Sequence, residues 1–146
     1  MTSNSQFAVA IHVLSVLGTL QEKNRKRVSS QQIAVSVNTN AVLIRNLVGL
    51  LKNAGLVLSK EGKGGGLSLA RTPNKISLLE IYSAVHGDQG VLRLSDRPEF
   101  KSCPISRGMK KVLPHIFKEV DRAVEKTLKG RTLKNVMDQI TIEDAQ

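Results

Sequence analysis

Residues 29–53 read SSQQIAVSVNTNAVLIRNLVGLLKN, and residues 54–71 continue AGLVLSKEGKGGGLSLAR. Ser29 followed by Gln32 has the spacing of a capping box, so a short helix starts there, with Ile33, Ala34 and Val37 on its apolar face. Asn38-Thr39-Asn40 interrupts it, because all three side chains compete for backbone hydrogen bonds and favour turns and N-caps. The next helix spans Ala41 to Asn53, with Leu43, Leu47, Leu50 and Leu51 expected on its buried face and Gly55 as its left-handed stop. Leu56–Ser59 and Leu67–Ala70 are short strands about the turn Glu61-Gly62-Lys63-Gly64-Gly65-Gly66. Helix, turn, helix and glycine-tipped hairpin, in that order, predict a winged helix-turn-helix: a mostly α fold with a small β-hairpin wing.

The flanks extend the same pattern. Upstream, Phe7, Ala10, Ile11, Leu14 and Leu17 put one apolar face on a helix from about Ser5 to Gln21. Downstream, Ser77 with Glu80 is a second capping box, opening a helix to about Val85. Gly87 to Cys103 reads as loop. Met109, Val112, Leu113, Ile116, Phe117, Val120, Val124 and Leu128 then form a continuous stripe on a long amphipathic helix, stopped by Gly130. Pro114 falls inside the stripe and predicts a kink or a helix start nearby. Thr132 to Ile140 suits a short last helix. The expected organisation is a DNA-binding unit at 1–87, a linker or sensor loop at 88–104, and a long C-terminal dimerisation helix with the terminal helix at 105–146. A stripe so continuous at the edge of a small domain favours a partner chain, with Val112, Ile116, Phe117, Val120, Val124 and Leu128 as the dimer interface.

Composition narrows the class. The 146 residues are 40% hydrophobic but only 3% aromatic, with no Trp, which suits an aliphatic helix core. No stretch has the ~18 apolar residues of a membrane span. The run Phe7 to Leu20 follows no basic segment and precedes no cleavage motif, so it is expected to be a helix of the fold rather than a signal peptide. A single cysteine, Cys103, excludes an internal disulfide framework and fits a reducing, cytoplasmic setting. The net charge is +10, and residues 1–75 hold 10 Lys+Arg against 2 Asp+Glu, so +8 of it lies in the first half. That asymmetry points one half of the chain at a polyanion.

The residues suited to double-stranded DNA follow from position. Thr39, Asn40, Val42, Arg45 and Asn46 occupy the entry of the expected recognition helix, where hydroxyl, amide and guanidinium groups reach base edges or phosphates. Ser29 and Gln31 lie at the start of the preceding helix, whose N–H groups suit a phosphate. Lys60, Lys63, Gly64 and Gly65 sit on the wing, where bare glycine backbone allows close approach. Lys23-Asn24-Arg25-Lys26-Arg27 is either a solvated loop or a further phosphate contact.

The run Asn53-Ala54-Gly55-Leu56-Val57 through Gly64-Gly65-Gly66-Leu67-Ser68-Leu69-Ala70-Arg71, with Ile76-Ser77-Leu78-Leu79-Glu80-Ile81, resembles the Rrf-two family of bacterial winged-helix transcription regulators. The likeness covers about residues 5 to 140 and is strongest to the YwnA-like subgroup that lacks a full cluster motif. It implies a DNA-binding regulator, a repressor by preference, acting as a homodimer through the long helix from near Ser106. The wing departs from the family pattern: Glu61 stands where Arg is usual, Lys63 where Pro is usual and Leu67 where Tyr is usual. An acidic tip repels phosphate, which leaves Lys60 and Lys63 as backbone contacts.

Cluster-binding members carry three cysteines before the long helix, and Cys103 stands like the last of them. One thiolate cannot replace the roughly four ligands of an iron–sulfur cluster, and His12, His86 and His115 are scattered. No cofactor and no metal are therefore expected. Cys103 keeps two readings. It is a bystander thiol or small hydrophobe, or it is a redox sensor favoured by Lys101, Arg107 and the following helix N-terminus.

An enzyme is not expected: no carboxylate pair, metal-spaced His/Cys set or nucleophile elbow is present, and Gly62 and Gly64–Gly66 lack the Lys-Ser/Thr and helix of a phosphate loop. The alternative is a winged helix repurposed as a protein-interaction module. RNA is disfavoured, because the one aromatic of the basic half, Phe7, reads as core and leaves no stacking platform.

Overall fold

The computed structural model describes residues 3–24 and 27–144; Arg25 and Lys26 of the basic loop lie outside the described residues. The order is α1 (Ser3–Glu22), α2 (Ser30–Val37), α3 (Ala41–Asn53), β1 (Val57–Lys60), β2 (Gly66–Leu69), a 3-10 turn (Pro73–Lys75), α4 (Leu78–His86), α5 (Pro104–Lys129) and α6 (Leu133–Asp144). The chain forms two compact units, Met1–Gly87 with Leu128–Gln146, and Asp88–Thr127.

In the first unit, Ala10, Val13, Leu14 and Leu17 of α1 are buried with Ile33 of α2, Ile44 and Leu51 of α3, Leu56, Ile76, Ile81 of α4 and Leu133 of α6. Each fully buried aliphatic side chain contributes about 1.5–3 kcal/mol, so this aliphatic cluster is the source of the unit's stability. Phe7 meets Tyr82 edge to face at 5.4 Å, tying α1 to α4. β1 and β2 pair antiparallel with Val57 opposite Leu69 and Lys60 opposite Gly66.

The buried face of α3 differs from the expected one. Ile44, Leu47, Val48 and Leu51 face the core, whereas Leu43 and Leu50 are 37% and 39% exposed. Helical spacing explains the difference: Leu43 and Leu50 lie seven residues apart on one flank, where they border a small cavity with Gln6, Val9, Asn46 and Leu47.

The end of α5, from Leu128, and α6 belong to the first unit. Leu78 N–H donates to the Arg131 carbonyl at 2.9 Å and Leu133 N–H to the Ile76 carbonyl at 2.9 Å, which ties the start of α6 to the start of α4. Leu128, expected in the dimer interface, packs partly against this core.

The second unit holds the loop and most of α5. Val91 N–H donates to Asp121 Oδ1 at 2.8 Å, and Phe100 N–H to Ser106 Oγ at 2.9 Å. α5 starts at Pro104 and continues through Pro114, so Pro114 does not mark a helix start. Pro104 suits a first helical position, where its missing N–H has no partner to lose. No residue of α5 is buried, and Val112 and Ile116 are 56% and 47% exposed. Phe117, Val120 and Val124 are half-buried.

Candidate nucleic-acid interface

The axes of α2 and α3 turn by 110° at their break, within the roughly 90–120° of helix-turn-helix pairs. Asn38 makes the turn possible. It adopts the left-handed conformation (φ 61°, ψ 50°), which asparagine tolerates well, and its N–H closes onto α2. Asn40 then caps α3, its Oδ1 accepting from Leu43 N–H at 2.9 Å. Ser29 caps α2: its Oγ accepts from Gln32 N–H at 3.2 Å, and Gln32 Oε1 accepts from Ser29 N–H at 2.9 Å.

These caps divide the expected contact residues by task. The Ser29 hydroxyl and the Asn40 carbonyl oxygen serve the helix ends, leaving the Asn40 amide nitrogen to reach outward. Gln31, Val42, Arg45 and Asn46 are exposed, and Thr39 is half-buried in the turn. The helix period also gathers residues that motif reading passed over. Asn46, Gly49 and Asn53 share with Val42 the face of α3 opposite its buried residues, and Lys52 flanks it beside Arg45. Steps of four, three and four residues from Val42 are the signal that finds them.

Lys60 and Lys63 are exposed on the wing, one at the end of β1 and the other in the turn. The glycines beside them serve the fold first. A Cβ on Gly65 would lie 2.2 Å from the Lys60 carbonyl oxygen, so only glycine fits that tight turn. Gly66 has φ 129°, and a Cβ there would lie 2.8 Å from the Val28 carbonyl oxygen. Val28 pairs as an isolated bridge with Leu67, anchoring the wing to the residue just before the α2 cap. Leu67 is buried, which accounts for an aliphatic residue at this wing position.

Behind the wing, Arg71 donates to Glu80 Oε1 at 2.7 Å and to the Lys75 carbonyl at 3.1 Å. Partial burial pushes the Glu80 carboxyl up, but hydrogen bonds from Ser77 and Arg71 and the Arg71 charge outweigh it and hold it below 4.5. Arg71 is thereby committed to the fold.

Cys103 is half-buried and immediately precedes α5. Its N–H donates to the Phe100 carbonyl at 2.9 Å, and its carbonyl accepts from Arg107 N–H at 3.1 Å. The Arg107 guanidinium bonds the Lys101 carbonyl. Among the described residues no group of three or more His, Cys, Asp or Glu is placed to hold a metal ion. Among the same residues no single helix is long and apolar enough to cross a membrane.

Residues 3–139 match the Rrf2 (Rrf-two) family model, described as iron-dependent transcriptional regulator. The chain is 40% identical over 137 residues to YwnA of Bacillus subtilis (strain 168), named as an HTH-type transcriptional regulator, covering 94% of this chain and 98% of that protein. The crystal structure of a protein described as DNA-binding shares 38% identity at a TM-score of 0.70, over 90% of this chain and 98% of that one. IscR of T. potens shares the fold at 22% identity and a TM-score of 0.65, over 97% of this chain and 85% of that one. Rrf2 members are transcription regulators that bind DNA rather than enzymes. With its winged helix-turn-helix and a family match from residue 3 to residue 139, this chain belongs to the Rrf2 family of transcriptional regulators.

Proposed function

We propose that the protein is a repressor that binds a pseudo-palindromic operator as a homodimer, with α3 in the major groove and the wing on the flanking backbone. The observation that carries this reading is the 110° turn between α2 and α3, with Val42, Arg45 and Asn46 exposed, in the half of the sequence that carries +8 of the net charge. Gln31, Thr39 and the Asn40 amide flank that entry, and Lys60 and Lys63 supply phosphate contacts. Homodimerisation is supported by α5, which carries an apolar stripe and buries none of it completely within its own chain. Two-fold symmetry then places half-sites about 10–10.5 base pairs apart or at a multiple of that spacing. Selection from random duplexes tests this: paired inverted half-sites are expected, and an asymmetric single half-site contradicts it.

In this reading the protein works without a cluster or metal, because Cys103 brings a single thiol. The anaerobically purified protein is expected to be colourless and free of stoichiometric iron and acid-labile sulfide. Cys103 supports one further element, redox tuning. Peroxide oxidises a thiol to sulfenic acid with release of water, and here the new group would stand at the first turn of α5. Oxidant is expected to change operator affinity of the wild type and not of Cys103→Ser; an equal response of both removes Cys103 from the mechanism.

A further inference from the structure

On a helix advancing about 100° per residue, the buried residues Ile44, Leu47, Val48 and Leu51 fix one side of α3, and Val42 falls opposite them. Val42 is the second residue of the helix and is 58% exposed. A β-branched side chain there adds nothing to the core and lowers helix propensity slightly. On its own face of the helix its neighbours are polar or bare: Asn40 caps the helix below it, Asn46 and Gly49 lie one and two turns along with Arg45 beside them, and a Cβ on Gly49 would meet nothing within 4 Å. A single apolar group on such a helix face suits a small apolar target within a polar groove better than a broad hydrophobic partner. In the major groove of B-DNA the apolar group on offer is the C5-methyl of thymine, and the N-terminal residues of a recognition helix are those that reach base edges.

The geometry points to Val42 as a specificity-determining residue that selects thymine in each half-site by packing its isopropyl group against the C5-methyl. The inference rests on the DNA reading proposed above. Hydrogen-bonding neighbours can read thymine O4 or the paired adenine, but not the methyl, which carries no donor or acceptor.

The test starts from an operator selected from random duplexes by the full-length protein. Single thymines are then replaced by deoxyuracil, which removes the methyl and keeps every hydrogen-bonding group. One symmetry-related pair of positions is expected to respond, losing about fourfold in affinity per half-site, the equivalent of burying one methylene-sized group, and about fifteenfold when both are replaced. Val42→Ala is expected to bind the thymine and deoxyuracil operators equally. Alanine at an exposed helical position favours the helix, so loss of fold does not cloud the comparison. A wild type indifferent to every replacement overturns the proposal, as does a Val42→Ala variant that keeps the full penalty. A folded protein that selects no operator overturns the underlying DNA reading instead.

Discussion

Val28 and Leu67 exchange a pair of backbone hydrogen bonds, Val28 N–H to the Leu67 carbonyl at 3.1 Å and Leu67 N–H to the Val28 carbonyl at 2.7 Å. The wing is thus fastened to the segment that leads into the Ser29 cap, and two parts of the proposed DNA surface share one rigid joint. Gly66 sits beside that joint with no room for a side chain. Gly66→Ala is expected to destabilise the fold by more than about 1 kcal/mol, because both its φ and the Val28 backbone oppose a Cβ. Urea unfolding checks this, and a change within about 0.5 kcal/mol, the usual range of a surface substitution, removes the joint from the account.

The Arg71–Glu80 pair predicts part of the acid limb of the stability curve. The Glu80 carboxyl titrates lower in the folded chain than its ordinary 4.5. Its contribution is therefore complete above the ordinary carboxylate value and is lost as pH falls through the lower, folded one. The pair is more than one-third exposed on both sides, so solvent screens it and the effect is small. Glu80→Gln keeps an acceptor for the capping box and removes the charge. Urea midpoints from neutral pH to about 3 are expected to fall less steeply for this variant than for the wild type. Equal slopes contradict the assignment.

The stripe on α5 predicts assembly. Ile116 is 47% exposed and Val120 half-buried within the chain. Placing Asp at both positions is expected to give monomer by sedimentation, since two buried, unpaired carboxylates cannot be desolvated cheaply. A double variant that stays dimeric moves the interface elsewhere.

The order of elements was legible because local chemistry set it. Ser29 with Gln32 and Ser77 with Glu80 formed the capping boxes their spacing implied, and Asn40 capped the helix it preceded. What escaped reading depended on contacts distant in sequence. Leu43 and Leu50 were expected in the core, yet the packing of α2, α4, β1 and α1 against α3 decides which flank of an apolar helix is covered. The Val28–Leu67 bridge and the return of α6 to the start of α4 are backbone pairings between remote segments, which side-chain periodicity does not encode. Within the candidate site, residue types pointed to Thr39, Asn40, Val42, Arg45 and Asn46. The hydrogen bonds add which atoms the caps engage: the Ser29 hydroxyl, expected at the DNA surface, is held by Gln32.

In the proposed complex α3 reads sequence while the wing holds backbone, and one comparison separates the two roles. Wild type, Arg45→Ala and Lys63→Ala are titrated on the selected operator and on random duplex over a range of salt. Arg45→Ala is expected to lose about 1–3 kcal/mol on the operator and little on random DNA, with relaxed preference at one position. Lys63→Ala is expected to weaken both duplexes alike and to lower the salt slope by about one unit. Equal losses by Arg45→Ala on operator and random duplex, or none on either, would contradict α3 as the reading helix.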